Sequence, residues 1–262
     1  MLSNLHTHTN FCDGDNTAEE IVQKALLKGF SSIGFSGHGY TSHDLRYCMK
    51  DTEGYVKEIN RLKEKYKKDI QIYLGTEEDI TEPCDRERFD YVISSSHYLN
   101  GNPIDSSKDY FNKLLILYDN NIIKIAEDYY STFCDYILKR KPDIIGHFDL
   151  ITKYSDNLEL DMFSNRRYME IAEKYMDIAL KSDCIFEVNT GAMARGYRKS
   201  PYPYENLLHL IKKRNGKLTL TSDCHVAENL DFGFSETKAM LKDMGFSYLY
   251  VLYDNKFRKD YL

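Results

Sequence analysis

Thr17-Ala18-Glu19-Glu20-Ile21-Val22-Gln23-Lys24-Ala25-Leu26-Leu27-Lys28-Gly29-Phe30-Ser31-Ser32-Ile33-Gly34-Phe35-Ser36-Gly37-His38 reads as one helix, one strand and a histidine just beyond the strand. Thr17 and Glu20 have the spacing of a capping box, in which the threonine caps the helix and the glutamate reaches back. Ile21, Ala25 and Leu26 then recur at helical spacing, and Gly29 is a natural stop. Ile33-Gly34-Phe35 is a short apolar run of the length and type expected of a buried strand.

The same unit recurs outward from there. Further strand-like runs are Ile70–Leu74, Tyr91–Ile93, Ile144-Ile145, Ile185–Val188, Leu218–Leu220 and Tyr248–Leu252, and Leu2–Leu5 is an eighth. Helical patterns lie between them near 53–67, 108–139, 165–181, 204–214 and 235–244, and the stretch 108–139 is long enough for two helices or one bent one. Strands alternating with helices predict parallel strands joined by crossover helices, an α/β fold. The length of 262 residues suits a barrel of that kind. No linker rich in Pro, Gly or Ser and no repeat divides the chain, so residues 1–262 are expected to form a single domain.

Composition narrows the function. The net charge of −6 and the lack of a basic stretch argue against a nucleic-acid partner, which needs clustered cations. A small anionic substrate is still allowed, because a local positive site overrides net charge. Cys12, Cys48, Cys84, Cys134, Cys184 and Cys224 are scattered, with no C-x-x-C pair, and are expected to be reduced thiols in a cytoplasmic protein. Met1 to His6 have no signal-peptide pattern, and no apolar run reaches the ~18 residues of a membrane span. There is no G-x-S-x-G elbow and no phosphate-binding glycine loop of the common kinds.

Of eight histidines, six follow a strand-like run: His6, His8, His38, His97, His147 and His225. Glu77 follows Leu74 in the same way. Strand C-termini of a parallel barrel converge on one face, so these side chains are predicted to meet. Alternate residues of an extended chain point the same way, so His6 with His8, and Asp223 with His225, can each grip one ion. Imidazole with carboxylate suits zinc, iron or manganese. Glu77 can bridge two ions through its two oxygens. His209 falls in a helical pattern and reads as structural, whereas His43 is either a substrate contact or simply exposed.

His6-Thr7-His8-Thr9, Ser36-Gly37-His38, Gly75-Thr76-Glu77, Ser95-Ser96-His97, Gly146-His147-Phe148-Asp149 and Ser222-Asp223-Cys224-His225 together resemble the polymerase and histidinol phosphatase (PHP) family. The stretch Glu187–Arg198, followed by Pro201-Tyr202-Pro203, resembles its histidinol-phosphatase branch. The resemblance implies a distorted seven-stranded, TIM-like (β/α)7 barrel of PHP type, so one of the eight runs should lie outside it. It also implies a metal-dependent phosphomonoesterase of histidine biosynthesis that hydrolyses L-histidinol phosphate. Two or three divalent ions (Zn, Fe or Mn) would be held by His6, His8, His38, Glu77, His97, His147, Asp223 and His225. A further ligand is expected after His8: Asp13 is preferred and Asp15 is the alternative. Many family members carry Asp before the third histidine, where this chain has Gly37.

The expected mechanism is attack of a metal-bound hydroxide on phosphorus, with Glu77 bridging the ions. Arg195 would stabilise the phosphoryl oxygens and Arg198 is a second candidate, because guanidinium binds them bidentately. Arg166 and Arg167 lie in a helical stretch and read as solvated surface. Asp223, His225 or a metal-bound water could protonate the leaving alcohol, and Glu187 or Asn189 could accept the substrate amine. Cys12 and Cys224 are expected to be bystanders. The expected partner is a small phosphorylated metabolite, with no nucleic acid or membrane, and the protein is expected as a monomer or homodimer. Alternative readings are a PHP phosphoesterase of a nucleotide or a phosphotyrosyl protein, and a metal-dependent amidohydrolase.

Overall fold

The computed structural model describes residues 1–155, 158, 160 and 162–262. Its strands are β1 (Ser3–Asn4), β2 (Ser32–Phe35), β3 (Gln71–Asp79), β4 (Tyr91–Ser95), β5 (Tyr98–Leu99), β6 (Asn102–Pro103), β7 (Ile144–Ile145), β8 (Ile185–Asn189), β9 (Lys217–Thr221), β10 (Tyr248–Tyr253) and β11 (Lys256–Tyr261). The helices are α1 (Ala18–Leu27), α2 (Thr52–Lys65), α3 (Lys108–Leu117), α4 (Ile122–Arg140), α5 (Arg166–Ala179), α6 (Gly191–Ala194), α7 (Glu205–Lys213) and α8 (Phe234–Asp243).

Seven strands pair in the order β1-β2-β3-β4-β7-β8-β9, every neighbour parallel. The sheet curls into a nearly closed barrel. Just past β1 and β9, the His8 amide donates to the Cys224 carbonyl (2.8 Å) and the Cys224 amide to the His6 carbonyl (3.0 Å). That seam brings the first and last strand exits together. The barrel interior is filled by large side chains set against small ones. The Tyr91 ring lies where a Cβ on either Gly34 or Gly75 would stand, and its hydroxyl donates to the Leu5 carbonyl at 2.5 Å.

Local chemistry accounts for the helices. Thr17 and Glu20 form both halves of the predicted capping box, and α1 buries Ala18, Ile21, Val22 and Ala25. The long pattern 108–139 resolves into two helices. Asp119 and Asn120 take positive φ (54° and 59°), which ends α3, and the Asn121 side chain caps α4 by accepting from the Lys124 amide. Both helices bury their apolar faces in the large outer core.

The run left over from the barrel is Tyr248–Leu252. It becomes β10, paired antiparallel with β11 through Asp254-Asn255, both at positive φ as a two-residue hairpin turn requires. The hairpin closes the N-terminal end of the barrel: Leu252 and Phe257 pack with Leu5, Tyr73, Tyr91, Ile93 and Ile144. Ser32 at the start of β2 donates to the Leu252 carbonyl (3.1 Å), and Gln71 at the start of β3 donates to Asp254 (2.8 Å). The opposite end, where the strands exit, stays open. The short β5–β6 hairpin there had no signal in the apolar pattern. Among the described residues, no helix is long and apolar enough to cross a membrane.

Candidate active site

Six of the seven barrel strands carry a histidine or carboxylate of the cluster at or just past their exits, and β8 instead contributes Glu187, which lies beneath them. Glu77, within β3, stands at the centre, and five imidazoles surround its carboxylate. On Oε2 are His38 Nδ1 (2.9 Å), His6 Nε2 (3.1 Å) and His8 Nε2 (3.6 Å). On Oε1 are His147 Nε2 (3.0 Å) and His97 Nε2 (3.4 Å). Beside them, Asp223 Oδ1 lies 3.1 Å from His8 Nε2 and 3.7 Å from His6 Nε2. Asp13 lies 3.3 Å from His225 Nε2, 3.5 Å from His8 and 3.6 Å from His38. All nine residues expected as ligands are therefore brought together, with Asp13 rather than Asp15 in the cluster.

A second layer orients the first. His6 Nδ1 contacts Glu187 at 2.5 Å, and His97 Nδ1 contacts Asp79 at 3.2 Å. Glu187 also accepts from the His147 amide (2.7 Å), Thr221 (2.6 Å) and Asn189 (3.1 Å). Asp223 sits at φ 46°, an uncommon conformation that aspartate tolerates. A Cβ on Gly191 would come within 2.8 Å of the Asp223 Cβ, so glycine lets that segment pass. Gly37 is also closely approached, with Cys12 Sγ 3.0 Å and Met49 Cε 3.1 Å from where its Cβ would stand.

The electrostatics reflect this crowding. Burial pulls the His6 imidazole down, but Glu187, Glu77 and Asp223 outweigh it and hold its pKa well above the ordinary value. Burial pushes Glu77 up, but His6, His38 and His97 hold it well below the usual carboxylate range. Asp223 is likewise held low against burial, by Arg195 and then His6. His8 goes the other way, lowered by burial and by the neighbouring His225 and His38.

The donor set fits divalent metal. With a cation bound, a neutral His6 that donates from Nδ1 to Glu187 would offer that cation the lone pair of Nε2. His6 Nε2, His8 Nε2 and Glu77 Oε2 are buried, and among the described residues none finds a hydrogen-bond partner. Leaving such groups unpaired is costly, and a cation between them removes the cost. Among the described residues, three overlapping groups have ligand atoms within 4.8 Å of one another: His8, Asp13, His38 and His225; His6, His8 and Glu77; and His38, Glu77 and His97.

The cluster forms the floor of a cavity of about 510 Å3. Arg195 is in its wall, with Nη2 2.9 Å from Asp223 Oδ2 and Nη1 2.9 Å from His225 Nδ1. Four residues expected to touch substrate are placed otherwise. Glu187 and Asn189 are buried beneath the cluster with their polar groups committed to His6, His147, Thr221 and the Gly191 amide. Arg198 is 5% exposed, donates to Thr152 (2.7 Å), pairs with Asp149 (3.6 Å) and stacks on Tyr202 (4.2 Å). His43 does not line the cavity but stacks on Tyr98, which does (ring centroids 4.6 Å apart). Arg166 is exposed and paired with Glu170, and Arg167 lies on a separate groove between α4 and α5. Cys12 and Cys224, both beside ligands, have thiols pushed up to about 12 by burial, so neither is a thiolate. The sequence reading missed Asp79 and the cavity walls Tyr47, Tyr98, Asp105, Lys153 and Tyr197. Asp79 was discoverable, because it shares the alternation of Glu77 along β3.

Residues 4–191 match the PHP domain. The chain belongs to the PHP domain family. This PHP chain is 29% identical to a Schizosaccharomyces pombe protein named "Probable histidinol-phosphatase", over 96% of this chain and 90% of that one. It is 24% identical to the histidinol-phosphatase of Bacillus subtilis, over 87% and 95%. Its fold is that of a Lactococcus lactis histidinol phosphate phosphatase crystallised with zinc, L-histidinol and phosphate (TM-score 0.76, 21% identity, 98% of each chain covered). Its PHP barrel is therefore the seven-stranded α/β barrel that the resemblance implied, built from the parallel strands that the strand–helix alternation predicted.

Proposed function

We propose that this PHP chain hydrolyses L-histidinol phosphate to L-histidinol and inorganic phosphate, a step of histidine biosynthesis. The names of its relatives support the substrate. The observation that carries the chemistry is five imidazoles converging on the Glu77 carboxylate with buried ring nitrogens left unpaired, beside the Arg195 guanidinium in the same cavity. His6, His8, His38, His97, His147 and His225, with Asp13, Glu77 and Asp223, would hold two or three divalent ions of zinc, iron or manganese. Such ions, when bound, make water more acidic and neutralise phosphate oxygens.

The chain's own residues do the rest. Arg195 is fixed at two points, so its guanidinium is preorganised for the phosphoryl oxygens where charge grows during displacement. Asp223 stays anionic, which suits it to hold Arg195 and orient an attacking water rather than to give up a proton. His225, with Nε2 3.3 Å from Asp13 and Nδ1 2.9 Å from the Arg195 guanidinium, would serve as a ligand, so the proton for the leaving alcohol would come from water in the cavity. Six free cysteines suit a reducing compartment, and we place the protein in the cytoplasm. The protein would act as a monomer or a homodimer.

The test is phosphate release from L-histidinol phosphate by purified protein, with its metals counted by elemental analysis. Turnover that disappears with chelation and returns with zinc, iron or manganese is expected. Absence of turnover on this ester, with vigorous hydrolysis of a nucleotide or a phosphotyrosyl peptide, would overturn the substrate.

A further inference from the structure

Glu187 and Asn189, the strand-end groups first suited to the substrate amine, are occupied beneath the metal-ligand cluster, so that amine needs another acceptor. Among the described residues, five carboxylates line the cavity: Asp13, Asp44, Glu77, Asp105 and Asp223. Asp13, Glu77 and Asp223 are engaged by the histidines. Asp44 is gripped by Arg46 through Nε (2.9 Å) and Nη2 (2.6 Å). Asp105 differs. Its Oδ2 has one long contact, 3.3 Å to Lys153 Nζ, and its Oδ1 has no donor among the described residues.

Asp105 is also held firmly by its backbone. Its carbonyl accepts from Lys153 Nζ (2.8 Å) and from the Tyr154 hydroxyl (2.7 Å). These two contacts tie the loop after β6 to the segment after β7, and fix the carboxylate in the cavity wall with 24% of its side chain exposed. Burial pushes the Asp105 carboxyl up, but Lys153 and, after it, His97 and His147 hold it below its ordinary value.

We infer that Asp105 accepts the ammonium group of the substrate and thereby selects amine-bearing phosphate esters, an inference that rests on the function proposed above. In L-histidinol phosphate the amine is on the carbon next to the one bearing the ester oxygen. A substrate with phosphate over the cluster must therefore present its ammonium to the cavity wall close by. A carboxylate with one unshared oxygen, already held in place, suits a primary ammonium, which offers three donors. Lys153 and Tyr154 are positioning residues for this group.

The experiment compares L-histidinol phosphate with imidazolylpropyl phosphate, the same ester without the amine, on metal-loaded wild-type protein and on Asp105→Asn and Asp105→Glu. Wild type should favour the amine-bearing ester. Asp105→Asn should lose roughly tenfold or more in kcat/KM on it, mostly through KM, as for a lost charge-assisted hydrogen bond. Its activity on the amine-free ester should be unchanged, and Asp105→Glu should recover part of the preference. Calorimetry should show weaker binding of L-histidinol to Asp105→Asn and unaltered binding of inorganic phosphate. Equal losses on both esters, or no loss on L-histidinol phosphate, would overturn the assignment while leaving the proposed function standing. A wild type that cleaves neither ester would remove that function, and this inference with it.

Discussion

At the scale of single residues, the site separates groups that face the cavity from groups that hold them. Arg195 faces it. Arg195→Ala is expected to lower kcat by about two orders of magnitude, by analogy with the loss of a preorganised charge-stabilising donor. Metal content measured in parallel should not change, and unchanged turnover would remove Arg195 from the mechanism. Glu187 holds. It occupies His6 Nδ1 and so fixes which ring nitrogen turns to the cluster. Glu187→Gln should weaken metal affinity about tenfold to a hundredfold, the usual effect of losing a carboxylate behind a ligating histidine. Competition with a chelator measures this, and full affinity would show that His6 needs no such support.

The histidines were legible in the sequence because their signal is local: each follows an apolar run within a few residues. The reading of Glu187 and Asn189 failed for the opposite reason. Glu187's chief partner, His6, lies 181 residues away in sequence, so nothing beside it announces that its oxygens are taken. Asp105 escaped notice because the loop carrying it follows no apolar run.

At the scale of elements, register and close packing set the position of the ligands. The Tyr91 ring of β4 lies over Gly34 of β2 and Gly75 of β3, two residues before Glu77. Gly75→Ala would force a methyl group into that ring and push β3 from β4. Overpacking of this kind costs roughly 1–3 kcal/mol, so chemical denaturation should show a loss of that size. Activity should fall too, because Glu77 rides on the displaced strand. Wild-type stability in this variant would contradict the packing described. Element boundaries were readable where chemistry marks them, as with Thr17 and Glu20. The split of α3 from α4 depends on positive φ at Asp119 and Asn120, which composition alone leaves open. The run Tyr248–Leu252 has the apolar character of a barrel strand; only its pairing with the charged Lys256–Tyr261 shows that it closes the bottom of the barrel instead.

At the scale of the whole molecule, the barrel brings residues 6 and 225 to one face through the seam between His6, His8 and Cys224. Alternation of strand and helix was enough to foresee that convergence, because parallel strands have all their C-terminal ends on one side. It could not foresee the cavity walls, which come from loops. The central claim is that the convergent histidines and carboxylates hold metal. Anomalous diffraction at the zinc or manganese edge, from crystals grown with that ion, tests it most directly. The account predicts two or three peaks around Glu77, each at roughly 2.0–2.2 Å from imidazole nitrogens or carboxylate oxygens of the cluster. A map with no peak there, or with ions bound only elsewhere, would contradict it.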